Sequence, residues 1–437
     1  MKQHSYVWHL IVSLGTRLIM IALRLARNVL LARLLGPADR GIFALLSTLP
    51  DLITAVTSGG LNTAVGYQAA KQKPMGVLLT QILIYGCLLS GILTLLCILL
   101  LSWLGTQVSA VEQLGIWIWL LIPVVPLTVL KSGLLTLHNA DERVNAFNML
   151  RLIESSTPLF LFIVLVFFWR ERVFDAALIS WIGGLAIVTV VGWCWLKRFH
   201  TLKLKWQPKE QGELLKFSAK SHLDVLFQQT LLRADYLFIG ALLPASALGH
   251  YAMASAAAEL LLIIPEAVTT PLMKRLLQQD KKIEQLTPLA LRVTATVMLC
   301  ACLAMALIGE WLIITLFGAA YAPAYPALLA LLPGLFALCY ASILRLDLLG
   351  KGRPGTLSLI VGLGAALNLI LNFILIPQLG ITGAAIASSV AYIAVTVVML
   401  TLYCKITQVP FYHTILIIPR DIGDLINMLK GSKIENN

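Results

Sequence analysis

Long runs of Leu, Ile and Val set the pattern of this chain, each near the roughly 20 residues a helix needs to cross hydrocarbon, with short polar breaks between them. The runs predict helices over 8–34, 41–67, 77–104, 114–138, 145–169 and 174–196, then over 214–243, 247–273, 286–316, 324–349, 354–377 and 381–404. The plainly hydrophilic connection between the two sets, Lys197 to Glu213, contains Lys197, Arg198, Lys203, Lys205 and Lys209. The expected organisation is an N-lobe of six helices (1–197), a basic linker (198–213), a C-lobe of six helices (214–405) and a tail (406–437). The tail segment DIGDLINMLK is amphipathic and fits a helix lying on the membrane surface.

The two sets repeat one another. Arg17 to Ala44 reads RLIMIALRLARNVLLARLLGPADRGIFA, and Asp224 to Ala252 reads DVLFQQTLLRADYLFIGALLPASALGHYA. Each is an apolar segment interrupted by ionisable residues, followed by Leu-Leu, a proline turn and Gly-x-aromatic-Ala opening the next helix. Pro37 matches Pro244 at an offset of 207, and Gly41-Ile42-Phe43-Ala44 matches Gly249-His250-Tyr251-Ala252 at 208. A repeat of this length, with polar residues inside membrane helices, predicts two similar halves and a site between them.

Composition agrees with the pattern and names the solvent. Hydrophobic residues make up 59% and charged residues 12%, with a mean hydropathy of +0.87, whereas soluble domains carry about 25% charged residues. Backbone groups in hydrocarbon must be satisfied internally, so the choice lies between helices and a closed barrel. Barrels alternate apolar and polar residues over about ten positions, unlike these runs. The expected fold class is therefore an all-α integral membrane protein with twelve transmembrane helices.

The net charge of +12 sits largely in short loops, which points to membrane topology rather than nucleic acid. With the N-terminus inside, one side holds Lys71, Lys73, Arg143, the linker cluster, Lys274, Arg275, Lys281, Lys282, Lys351 and Arg353, and the other little beyond Arg40, Arg170 and Arg172. Both termini are expected in the cytoplasm. The first span is no cleaved signal, because Arg17, Arg24 and Arg27 break its apolar core. The seven cysteines all lie in apolar runs without metal-type spacing and read as packing residues.

An ionisable side chain at the bilayer centre costs roughly 2.5–3.5 kcal/mol on insertion scales, so deep charges face a cavity or one another. Lys131, Arg151, Glu154, Arg292 and Glu310 fall near the ends of their spans and fit snorkelling, with Arg151 and Glu154 able to pair at i, i+3. The deep charges belong to the first, second, seventh and eighth spans. Arg17, Arg24 and Asn28 lie within about 20° of one line on the first, and Arg27 about 80° away. Ser47, Asp51, Ser58 and Asn62 share a face of the second, and the repeat offset of 208 carries them onto Ser255, Glu259, Glu266 and Thr270 of the eighth. The seventh carries Lys220, Ser221, Asp224, Gln228 and Asp235 within a sector of about 100°. Two readings of these charges stay open: a wet central cavity, or mutual neutralisation across the seam and within helices, as Lys220 and Asp224 at i, i+4 permit.

The segment LNLILNFILIPQLGITGAAIASSVA (Leu367 to Ala391) and the turn Leu34-Leu35-Gly36-Pro37 with Gly41-Ile42-Phe43-Ala44 resemble the polysaccharide transporters. These are Wzx-type lipid-linked oligosaccharide flippases of the multidrug/oligosaccharidyl-lipid/polysaccharide (MOP) exporter superfamily, which includes the MATE-like exporters. Ala26-Arg27-Asn28 and Ala32-Arg33 resemble the Ala-Arg-Asp…Ala-Arg stretch of the lipid II flippases of that superfamily, with Asn28 in place of the aspartate.

The resemblance implies a transporter of undecaprenyl-diphosphate-linked oligosaccharide, from the cytoplasmic to the outer leaflet of a bacterial inner membrane, for O-antigen, capsule or exopolysaccharide synthesis. Its implied partners are the lipid-linked oligosaccharide, membrane lipid, a polysaccharide polymerase and glycosyltransferases. Arg27 inherits a diphosphate role from the family match, and Arg17 and Arg24 from the helical wheel. Guanidinium suits this headgroup because it is always charged and grips phosphate oxygens bidentately. Asn28, Ser58, Asn62 and Gln228 offer donors and acceptors to the diphosphate or sugar. Asp51, Asp224, Asp235, Glu259 and Glu266 are read either as sites for a coupling proton or sodium ion or as counter-ions to the arginines. No step breaks a bond, so neither a catalytic residue nor a cofactor is expected, and no Walker-type loop is present in the sequence. The rival readings are a drug exporter of the same superfamily and a polytopic polymerase or ligase.

Overall fold

A computed structural model describes residues 2–58, 60–104, 114–141, 144–200, 202–204, 208–266, 268–269 and 283–414. Among them the chain is helical throughout, with no strand. In order the helices are α1 (Lys2–Ser58), α2 (Leu61–Ala70), α3 (Met75–Gln81), α4 (Leu89–Leu104), α5 (Leu121–Ala140), α6 (Val144–Phe168) and α7 (Val173–Phe199). There follow α8 (Pro208–Leu242), α9 (Ala245–Glu259), α10 (Ile283–Phe317), α11 (Tyr325–Gly350) and α12 (Pro354–Thr407). A π-helical segment, Ile82–Leu88, joins α3 to α4. The tail segment DIGDLINMLK, the basic cluster Lys274 to Lys282 and Thr270 lie outside the described residues, as do the side chains of Lys220 and Ser221.

These labels do not follow the predicted spans one to one. The first predicted span is one arm of α1, which bends at Gly36 (φ 73°), the second is its other arm continued by α2, and the last two are the arms of α12, which bends at Gly380 (φ 60°). Both bends use the left-handed region that glycine enters without a Cβ penalty. Among the described residues, eight helices are long and apolar enough to cross a membrane. Neither arm of α1 nor α8 is in that set.

The Ile-Pro-Gln-Leu-Gly-Ile-x-Gly signature is a packing device. After the bend at Gly380, a Cβ on Gly383 would lie 2.3 Å from the Leu375 carbonyl oxygen, so only glycine lets the arms of α12 meet this closely. Lipid-embedded helices gain no hydrophobic driving force from pairing, and close van der Waals contact at small residues takes its place.

The two repeat copies pack on each other reciprocally. A Cβ on Gly41 would lie 1.8 Å from the Ala245 carbonyl oxygen, and one on Gly249 would lie 1.9 Å from that of Pro37. At the offset of 208, Gly41 corresponds to Gly249 and Pro37 to Ala245, so one contact is the other seen through the repeat. Around this crossing a single apolar cluster joins Leu31, Phe43 and Leu46 of the N-terminal half to Ile239, Leu248 and Tyr251 of the C-terminal half. The same end is pinned by Arg33, whose Nε donates to the Leu316 carbonyl at 2.8 Å and whose second nitrogen donates to Thr315. Tyr321 donates to the Ala32 carbonyl at 3.1 Å. Arg33 thus caps the C-terminal carbonyls of α10 from the opposite half. Each half also keeps a core of its own, one around Leu61, Leu79 and Leu137 and one around Ile343, Leu357 and Tyr403.

Candidate functional site

Beneath that seal a cavity of about 630 Å³ lies between the halves, walled by α1, α5, α6 and α7 on one side and by α8, α9, α11 and α12 on the other. The N-terminal half presents Arg24, Arg27, Arg40 and Lys131 against Asp51 and Glu154. The C-terminal half presents Asp235, Glu259 and Glu266 against Arg233. Cations prevail on one wall and carboxylates on the other, although formal charges balance over the whole lining.

Their pairing is uneven. Lys131 Nζ meets Glu154 Oε1 at 2.6 Å, and Arg233 meets Glu259 Oε1 at 3.0 Å. Asp235, 4% exposed, accepts from the Tyr251 hydroxyl and from the Tyr236 amide at 2.9 Å. Ser388 approaches the same carboxylate at 3.5 Å, and Asn368 and Asn372 continue the chain into the arms of α12 at 3.3 and 2.9 Å. By contrast, Arg24 and Arg27 make no hydrogen bond or ion pair among the described residues, and Arg27 Nε is buried without an acceptor. Asp51 likewise has no partner there. An arginine carried into a membrane helix without a carboxylate beside it requires an anion or water to meet its charge.

Of the residues singled out in sequence, Arg24, Arg27, Asn28, Asp51, Asp235, Glu259 and Glu266 line this cavity. The wheel on the first span separated Arg24 from Arg27, and the cavity is wide enough to take both. Arg17, Ser58, Asn62, Gln228 and Asp224 are not part of the lining. Ser58 donates back to the Thr54 carbonyl at 3.2 Å, and Asn62 donates to Ser132 at 3.0 Å. Asp224 and Gln228 are engaged by Arg345 of α11, Gln228 at 3.1 Å. At Asp224 and Gln228 the polar sector of α8 therefore meets its own half, whereas Asp235 two turns further on lines the cavity, and Arg233 reaches Glu259. A wheel finds a polar stripe but not whether it meets water or protein.

The sequence reading missed Lys131 and Glu154, taken as snorkelling, and Glu154 pairs with Lys131 rather than with Arg151, whose guanidinium stacks on Phe147. It also placed Arg40 in a loop. Seven residues before Ser47, Arg40 continues the second span's polar face upward by two turns, and extending that stripe would have found it.

Two helical halves enclosing a charged central cavity have the architecture of a membrane transporter. Residues 30–326 match the family model described as polysaccharide biosynthesis protein, and the chain belongs to that family. Over its whole length the fold is similar to that of a lipid II flippase, MurJ, in an inward closed conformation. The TM-score is 0.76 at 15% identity, covering 98% of this chain and 94% of that one. It is also similar to a multidrug resistance MATE family transporter of the MOP superfamily in an inward-facing conformation, with a TM-score of 0.73 at 16% identity over 91% of this chain and 98% of that one. A curated relative, the uncharacterized membrane protein MJ1068 of Methanocaldococcus jannaschii, is 35% identical over 116 residues, which span 26% of this chain and 23% of the relative.

Proposed function

We propose that this protein is a flippase for a lipid-linked oligosaccharide. It moves an undecaprenyl-diphosphate-linked repeat unit from the cytoplasmic to the outer leaflet for surface polysaccharide synthesis. The carrying observation is the pair of unpartnered guanidiniums, Arg24 and Arg27, in a cavity between the halves. Family membership supports the polysaccharide context and the lipid II flippase fold supports lipid-linked cargo. In this reading the diphosphate is held by Arg24 and Arg27, with Asn28 beside them. Arg17 belongs to the approach along the first arm of α1. The sugar meets the Tyr236, Ser255 and Trp181 side of the cavity, and the lipid tail stays in the bilayer.

Transport follows from rocking of two lobes, 1–197 and 214–405, about the central site. Both termini are cytoplasmic, so the reciprocal glycine seal is the outer gate and the state described is closed toward the periplasm. A coupling cation, proton or sodium, belongs at Asp235. There Asp235, Ser388 and Tyr251 bring oxygens together, and further along the same hydrogen-bonded chain Asn372 Oδ1 is buried without a partner. Asp51 and Glu266 serve as counter-ions to the cations of the first half.

The drug-exporter reading draws on the carboxylates of the C-terminal half, but Glu259 is already bound by Arg233. The test is surface polysaccharide export in cells carrying Arg24→Gln or Arg27→Gln at parental membrane levels. Each is expected to reduce export at least tenfold, given the strength of charge-assisted phosphate contacts. Normal export by both variants refutes the assignment.

A further inference from the structure

Arg40 lies at the roof of the cavity, in the first turn after the Gly36 bend, and is only 7% exposed. The bend folds it back over the end of the first arm, so that its Nη2 donates to Asn28 Oδ1 at 3.3 Å, next to Arg27. It stacks on Phe43, with the guanidinium carbon 5.6 Å from the ring centroid. Its Nε is buried with no acceptor, and no carboxylate pairs with it among the described residues.

The other charges of the cavity explain why no counter-ion reaches it. Glu154 is taken by Lys131 and Glu259 by Arg233, Asp235 faces Tyr251 and Ser388, and Glu266 has interactions of its own. Asp51 is the one lining carboxylate without a partner among the described residues. Arg24, Arg27 and Arg40 thus form a cluster of three guanidiniums, none of them paired with a carboxylate among the described residues.

We infer that Arg40 is a direct ligand of the substrate's second phosphate. It holds that group from the roof while Arg24 and Arg27 hold the first from the wall, and so makes the site select a diphosphate over a monophosphate. The fork of the guanidinium suits two phosphate oxygens at once, and stacking on Phe43 fixes its plane. Asn28, a neutral acceptor, keeps the side chain aimed into the cavity without cancelling its charge. This inference rests on the flippase reading above and adds a residue and a specificity to it.

The experiment uses full-length protein in nanodiscs and measures binding of geranylgeranyl diphosphate, geranylgeranyl monophosphate and geranylgeraniol. The parent is expected to prefer the diphosphate. Arg40→Gln is expected to lose about tenfold in diphosphate affinity with less than a twofold change for the monophosphate. Arg40→Lys, which keeps the charge but not the fork, is expected to fall between. If Arg40→Gln lowers the thermal unfolding midpoint, Arg40→Lys carries the test by the same loss of preference. Parental diphosphate preference in both variants, with Arg24→Gln impaired, overturns the role of Arg40 and leaves the flippase reading standing. A parent that binds the diphosphate no better than the alcohol overturns both.

Discussion

Replacing Gly41 with alanine forces a methyl group to within 1.8 Å of the Ala245 carbonyl oxygen. An ordinary carbon–oxygen contact needs about 3.4 Å, so the two backbones must separate there by about 1.5 Å. No flexible side chain lies between them to yield. Overpacking of this kind costs about 1–3 kcal/mol. The cost falls only on the state in which the repeat copies touch, so a value near 2 kcal/mol shifts the balance toward the outward-open state about 30-fold. The assay is labelling of a Ser47→Cys reporter, on the cavity wall, in a background free of the seven native cysteines, with an impermeant maleimide added outside intact cells. Gly41→Ala is expected to speed labelling, and Gly249→Ala to do the same through the equivalent contact. Gly355→Ala, where a Cβ meets nothing within 4 Å, leaves the rate unchanged. Unchanged labelling in a stably folded Gly41→Ala protein refutes the claim that this crossing is the outer gate.

Three further outcomes follow from the pairings. Lys131→Met leaves Glu154 without its partner in the membrane and is expected to lower the thermal unfolding midpoint in detergent by a few degrees, with Lys131→Met/Glu154→Leu restoring most of it. Arg345→Gln strips the partner from Asp224 and Gln228 outside the cavity lining, so it is expected to reduce stability but leave diphosphate affinity within twofold, as thermal unfolding and nanodisc binding would show. Asp235→Asn is expected to retain diphosphate binding but abolish the dependence of transport on an imposed proton or sodium gradient, measured in proteoliposomes.

Much of this architecture was legible because membrane insertion writes it in one dimension. The apolar runs located helices, and the repeat between Pro37–Ala44 and Pro244–Ala252 pointed to two similar halves, although that the two copies pack on each other at Gly41 and Gly249 was not legible. What periodicity could not supply was direction. Asp224, Gln228 and Asp235 share a face of α8, but Asp224 and Gln228 meet Arg345 while Asp235 reaches the cavity and Ser388 of α12, and Arg233 reaches Glu259. Arg40 was hidden because a residue three positions after a proline reads as loop, and only the bend at Gly36 turns its side chain back toward Asn28. Lys131 and Glu154 stood near span ends in sequence, yet α5 and α6 cross where the two meet. Pairing partners far apart in the chain leave no trace in a single helix's pattern.

The central claim is that the cavity carries a lipid-linked diphosphate sugar across the bilayer. Its most direct test is reconstitution of the full-length protein into liposomes holding a fluorescent isoprenyl-diphosphate oligosaccharide in both leaflets, followed by an impermeant quencher. The parent is expected to expose the inner-leaflet pool to quenching within minutes, and Arg24→Gln/Arg27→Gln to leave it protected as in protein-free liposomes. Protection in the parent, or equal exposure by the double variant, contradicts the account.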